Sequence, residues 1–321
     1  MSDASDFWAP YEFEIAGIES FQSFTQWLMD RWLEEPSRPR RFAWRGVCDA
    51  RWPLYSSLYR RVREEPGAPG DEKRLALHEG ALLRNFQRWG LDHGDRGRLS
   101  SMAQLAVMQH HGVPTRLIDI SFSAHVALWF AVEERQGVQG ALNDVDGRIF
   151  AIDIADRLVN ERRWGYRFGD ERDLPWLPRT SHESPLPDEL SSQWSAAAFA
   201  WRPPPLDRRI TAQHGGFLLG GVPEVTVHWG TVTTDQADGD VDRRPTEELR
   251  SYTSLALRVH KAFTKKGRPP AQPFYTARIK ASAKEPLRRH LEEFYGYSHT
   301  TMYPDYEGFS DFTRQRPLPV D

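Results

Sequence analysis

One cysteine, Cys48, stands in 321 residues, so no disulfide can close within the chain and no cysteine cluster can hold zinc. Long apolar runs are missing as well. Nowhere do about eighteen apolar residues follow one another, which excludes a membrane-spanning helix. The opening residues, MSDASDFWAPYEFEIAG, have neither the basic start nor the apolar run of a secretory signal. Together with the lone cysteine, this points to a reducing cytoplasm. A surplus of one charge is absent too: 42 basic against 45 acidic residues give −3, not the basic excess of a non-specific nucleic-acid binder. No internal repeat is visible. What remains is ample for folding, since 39% hydrophobic and 12% aromatic residues can fill the core of one large domain or two small ones. Twelve tryptophans and ten tyrosines supply core rings and stacking surfaces, which beside scattered arginines suit a nucleotide ligand.

The most informative stretch runs from Ser100 to Val132, SSMAQLAVMQHHGVPTRLIDISFSAHVALWFAV. Met102, Leu105 and Met108 share one helical face, and Gly112 and Pro114 stop that helix with His110 and His111 at its C-terminal end. Arg116 and Asp119 then lie in a short run that is otherwise apolar, which makes them either a buried ion pair or part of a site. Ser121 or Ser123 caps the following helix, whose free N–H groups also suit an anion. Polar groups and helix-start donors thus converge on a few residues.

Elsewhere the spacing predicts a helix over Ser20 to Leu33, a short strand around Phe42 and Trp44 that ends at Arg45-Gly46, and a helix carrying Leu75, Leu82, Phe86 and Trp89. Residues Arg148 to Ile154 read as a central strand. Residues 156–208 are dense in Pro, Arg and Trp and read as a long irregular insertion. The run RRITAQHGGFLLGG reads as a strand broken at Gln213-His214, where glycines mark a bulge or a close approach to the backbone. Residues 229–248 read as a charged loop. A helix from Thr253 to Phe263, a strand from Phe274 to Ile279 and a final helix follow. That helix has a Ser282/Glu285 capping box, a Leu287, Leu291 and Phe294 stripe, and a Gly296 stop. Irregularly mixed strands and helices argue for an α+β fold in a single domain.

Several of these segments resemble the FRG domain. Its aromatic-Arg-Gly signature is matched by Trp44-Arg45-Gly46, followed by Trp52 to Arg60; its glutamine-histidine turn and Leu-Asp run by Gln109 to Asp119; its Gln-x-Gly-x-Phe strand by Arg209 to Phe217; and its ending by Ala277 to Asp305. The resemblance implies an FRG domain over about residues 40–310 with the insertion inside it, a helical lead-in at 1–39 and a tail at 311–321. A more distant similarity, to the ADP-ribosyltransferase fold of the arginine-serine-glutamate type, implies a mixed sheet with flanking helices and NAD as substrate. By that similarity Arg45 clamps a phosphate, Ser121 and Ser123 stand for the serine motif, and Gln213 falls where the ribose-orienting glutamate belongs. Glu224 and Glu307 are the acids that could replace that glutamate.

The expected site comprises Arg45, Ser121 and Gln213 as catalytic residues. Gly46, His110, His111, Thr115, Arg116, Asp119, Ser123, His214 and Phe217 line the nucleotide. Guanidinium suits a diphosphate because it offers a planar fork of donors and keeps its charge. No metal is expected, since adjacent histidines diverge and no spaced partner completes a site. Cys48 reads as a small buried side chain or a nucleophile activated by nearby basic residues. The resemblance implies an enzyme that cleaves the nicotinamide-ribose bond and passes ADP-ribose to water or to a macromolecule, used as a toxin or anti-phage effector. The alternatives are a non-catalytic nucleotide sensor that controls a partner or an assembly, and an enzyme directed at nucleic acid through the arginine-rich 156–210 segment.

Overall fold

The computed structural model describes residues 3–33, 41–65, 70–94, 97–137, 140–155, 157–159, 174, 198–223, 246–256, 258–259 and 273–315. Their helices are α1 (Ala4–Trp8), α2 (Ile18–Leu33), α3 (Ser57–Arg63), α4 (Glu72–Arg88), α5 (Ser101–His110), α6 (Ala124–Val132), α7 (Arg208–Ala212), α8 (Thr246–Arg250), α9 (Ala281–Tyr295), α10 (His299–Met302) and α11 (Tyr306–Gln315). Nine strands join one sheet among these residues: β1 (Glu12–Ile15), β2 (Phe42–Val47), β3 (Ile118–Ser121), β4 (Gly147–Asp153), β5 (Leu158–Val159), β6 (Ala198–Trp201), β7 (Gly215–Gly220), β8 (Arg258–Val259) and β9 (Pro273–Ile279). Their order is β1-β9-β4-β2-β3-β7-β6-β5, with β8 also on β9. The β1, β8 and β5 pairings are parallel and the rest antiparallel. The fold is α+β, built on a large mixed sheet.

Alternation along each strand divides the core in two. Ala43, Ile118, Ile120, Phe150, Ile152, Leu218 and Phe274 pack on one face, together with Phe7, Trp8 and Tyr11. On the other face, Trp44, Ile149, Ala151 and Tyr275 meet α2, α6 and α9. Farther along that face, Leu117, Phe199, Trp201, Phe217 and Leu219 meet α4 and α5. Local chemistry starts the helices that matter here. Ser100, Ser123 and Asp207 each accept a backbone N–H three residues on, opening α5, α6 and α7.

Several elements depart from the sequence reading. The lead-in joins the main fold: Trp8 is fully buried and β1 extends the sheet beside β9. Residues 208–212 are helix, not strand, because Asp207 caps the Ile210 N–H at 2.7 Å. The expected Thr253–Phe263 helix is replaced by the earlier α8 and by β8; Thr253 instead bridges Leu54, and residues 260–263 lie outside the described ones. The Ser282/Glu285 box does not form, since α9 begins one residue earlier and its Ala281 N–H donates to Asp146 at 2.8 Å. Gly296 does end α9, in the left-handed region at φ 66°, but Phe294 is 73% exposed and not part of the buried stripe. Within the insertion, the described residues supply β5 and β6 at the end of the sheet. Of the 229–248 loop, residues 229–245 lie outside the described ones and Thr246 already belongs to α8.

Candidate functional site

β2 and β3 pair at one position, Trp44 with Ser121, and then separate. That divergence opens the sheet. A cavity of about 260 Å³ lies there, floored by Arg45, Gly46, Asp119 and Ser121 and walled by Gln109, His110, Trp52, Phe130, Glu133, Arg135, Arg209, Gln213, Phe217 and Tyr303. Where the ladder has parted, the Arg45 guanidinium donates to the Asp119 carbonyl at 2.6 Å, so a side chain takes over the role of the missing strand partner. Among the described residues Arg45 makes no ion pair. Burial works against its charge, and the nearby Asp119 offsets part of that effect. A half-buried cation without a carboxylate partner is a receptive place for an anion.

A relay fixes this floor. The Thr115 hydroxyl donates to the Gln109 side-chain oxygen, and the Gln109 amide nitrogen donates to the Asp119 carboxylate at 2.6 Å. The Ser121 hydroxyl donates to the Gln213 carbonyl at 2.7 Å and accepts the Ser123 N–H at 3.0 Å, which ties β3 to the turn before β7. The Gln213 amide is committed as well, donating to the Met302 carbonyl at 2.8 Å.

Of the predicted site residues, Arg45, Gly46, His110, Asp119, Ser121, Gln213 and Phe217 line the cavity; His111, Thr115, Arg116, Ser123 and His214 do not. Arg116 is not paired with Asp119. It is buried between Glu79 at 2.6 Å and Glu72 at 2.9 Å, because it begins a run that turns its side chain toward α4. Thr115 is buried and acts through Gln109, and Ser123 caps α6. His214 takes a positive φ of 47° in the turn and is exposed. The glycines serve packing rather than ligand approach. A Cβ on Gly46 would meet the Ala127 carbonyl of α6 at 1.8 Å, and one on Gly216 would meet the Phe122 ring at 2.6 Å.

A carboxylate that the sequence reading did not single out also lines the cavity. Glu133 leaves the end of α6 in an extended conformation, 5% exposed. Its carboxylate accepts the Tyr303 hydroxyl at 2.9 Å and pairs with Arg135 at 3.0 Å. Burial pushes Glu133 above the usual carboxylate range, with Arg135 restraining the rise; the same pairing holds Arg135 more firmly charged. Burial likewise raises Tyr303 and so keeps its proton on. The run Glu133-Glu134-Arg135 after an apolar helix looks like an exposed charged end, and the only usable signal was that α6 is apolar all round. Of the anticipated acids, Glu307 does not line the cavity and meets His111 at 3.0 Å, and Glu224 lies outside the described residues.

Arg209 forms a two-point pair with Asp305, both contacts at 2.9 Å, and lies over the Tyr303 ring. Cys48 lines the cavity, but burial raises its thiol pKa, the opposite of an activated nucleophile. His110, His111 and Glu307 bring candidate ligand atoms within 4.8 Å of one another, so these three could hold a metal ion at the cavity's edge, though two of them are exposed. No helix among the described residues is long and apolar enough to cross a membrane.

No curated protein and no solved structure matches the chain. A family model does, over a narrower span than the 40–310 expected from the motifs. Residues 40–139, which contain Arg45, His110, Asp119, Ser121, Glu133 and Arg135, match the FRG domain, and the chain therefore carries an FRG domain that supplies the floor and one wall of this cavity.

Proposed function

We propose that the cavity binds NAD and that the protein is an ADP-ribosyltransferase-like enzyme, breaking the nicotinamide-ribose bond and passing ADP-ribose to water or to a macromolecule. One observation carries the reading: Arg45, half-buried and free of any ion pair among the described residues, at the point where two strands part. A diphosphate supplies the charge that this guanidinium lacks, in the bidentate geometry it favours. The half-buried Trp52 and Phe130 offer faces for a base or a nicotinamide ring. At about 260 Å³ the cavity falls below the roughly 300–1,000 Å³ typical of small-molecule sites. It encloses one half of a dinucleotide, not the whole.

The test is nicotinamide release from NAD by the purified chain, with and without candidate protein and nucleic-acid acceptors. Wild type releases nicotinamide, and Arg45→Ala binds NAD about ten- to a hundredfold more weakly, the equivalent of losing a charge-assisted bond of roughly 1.5–3 kcal/mol. Release equal to buffer by both proteins, with acceptors present, refutes the reading. If the chain acts as a toxin or defence effector, its expression in cells depletes NAD, and Arg45→Ala abolishes the depletion.

A second reading, a nucleotide sensor without turnover, is favoured by Gln213, whose amide is held by Met302 instead of facing a ribose. Saturable NAD binding by wild type with no nicotinamide released, lost in Arg45→Ala, selects it.

A further inference from the structure

Three carboxylates line the cavity, and two have other work. Asp207 caps α7 through the Ile210 N–H, and Asp119 holds Gln109 on the floor. Glu133 is different. It is the buried one, and among the described residues each of its oxygens meets a single donor, Tyr303 on one and Arg135 on the other. A carboxylate has about four lone-pair sites, so this arrangement orients the group and leaves acceptor capacity on both oxygens. Its position is held from outside as well, since Arg288 donates to the carbonyl of the preceding Val132 at 2.8 Å.

We propose that Glu133 is the proton acceptor of the site, taking a proton from the water or hydroxyl that attacks the ribose. The assignment rests on the NAD-cleaving reading above and adds the identity of the base and the class of acceptor, a neutral O–H group. The balance is simple. The bond between ribose C1′ and the nicotinamide nitrogen breaks, and its electron pair leaves with nicotinamide. The acceptor oxygen bonds to C1′, and its proton passes to the Glu133 carboxylate and from there to solvent. Tyr303 keeps its own proton and steadies the charged carboxylate through this cycle, a positioning role. A carboxylate whose affinity for protons is raised by burial, yet which is still paired to a guanidinium, is a better proton acceptor than one in water.

The experiment follows nicotinamide release by the full chain against pH for wild type, Glu133→Gln and Tyr303→Phe, with thermal melts as folding controls. Glu133→Gln keeps an oxygen to accept from Tyr303 but cannot take a proton. It should lower kcat by at least about a hundredfold, the lower end for loss of a general base, with the KM for NAD nearly unchanged and the acid limb of the pH profile gone. Tyr303→Phe removes a donor to the charged form, so its acid limb should move to higher pH. A purely structural role for Glu133 moves neither limb. Glu133→Gln turning over at the wild-type rate, or a Tyr303→Phe limb that coincides with wild type, overturns the assignment and leaves NAD cleavage standing. A wild type that releases no nicotinamide overturns both.

Discussion

Arg116 and Arg45 both belong to the neighbourhood of β3, yet their surroundings are opposite. Arg116 is 1% exposed and answered by two carboxylates, Glu79 and Glu72. Among the described residues the Arg45 side chain has a single backbone carbonyl as its partner, and it faces a cavity. The first arrangement answers the charge with two carboxylates, offsetting a removal from water that would otherwise cost several kcal/mol. The second is incomplete, and that incompleteness makes it a binding feature. An arginine's role in this fold is set by whether carboxylates have already claimed it, not by burial alone.

The largest effect expected from this contrast is on stability. Arg116→Ala strands Glu79, which is fully buried and whose pKa burial already raises, so unfolding in denaturant should show a loss of about 3–5 kcal/mol. Arg45→Ala, which removes one hydrogen bond to a carbonyl, should cost about 1 kcal/mol. Equal losses would erase the distinction between the two arginines. The next effect is on ligand-linked stability. NAD at a hundred times its Kd should stabilise the wild type by about 2.7 kcal/mol through mass action and raise its melting temperature. The same concentration should stabilise Arg45→Ala by only about 0.4–1.4 kcal/mol, as a ten- to hundredfold weaker Kd requires, and it should shift a folded Arg116→Lys protein as it does wild type. Inorganic pyrophosphate in place of NAD tests whether the diphosphate alone supplies the gain.

How much of this was legible in the sequence depended on how local the signal was. β2, α5, β3 and α6 fell close to their expected places because their periodicity and their stops, Gly112, Pro114 and the serine caps, lie within a few residues of one another. Arg45 was placed at a strand end by the same local pattern, but it was singled out as a site residue only by the FRG resemblance of Trp44-Arg45-Gly46. Long-range pairings were not. Nothing near Arg116 shows that its carboxylates come from α4, 44 and 37 residues away. Nothing near Glu133 shows that Tyr303, 170 residues on, reaches back to it. The glycines misled in an instructive way: Gly46 and Gly216 do permit close approach, but by Ala127 and Phe122 of the protein itself. At α7, a single Asp207 cap outweighed the strand-like pattern that follows it.

Arg209 sits between the two extremes and sharpens the comparison with the smallest expected effect. Like Arg116 it is answered by carboxylate oxygens, here two of one residue, and like Arg45 it lines the cavity. Burial works against the charge of its partner Asp305, but the Gly308 N–H and Arg209 outweigh it and keep the carboxyl below its ordinary range. A carboxyl depressed in the fold stabilises above its unfolded value, about 3.9 for an aspartate, and that contribution is lost as pH falls through the lower folded value. The difference in melting temperature between wild type and Asp305→Asn should therefore hold steady from neutrality down to about pH 5 and shrink below about pH 4. A gap that stays constant through this range would mean that Asp305 acts through its hydrogen bonds and not its charge.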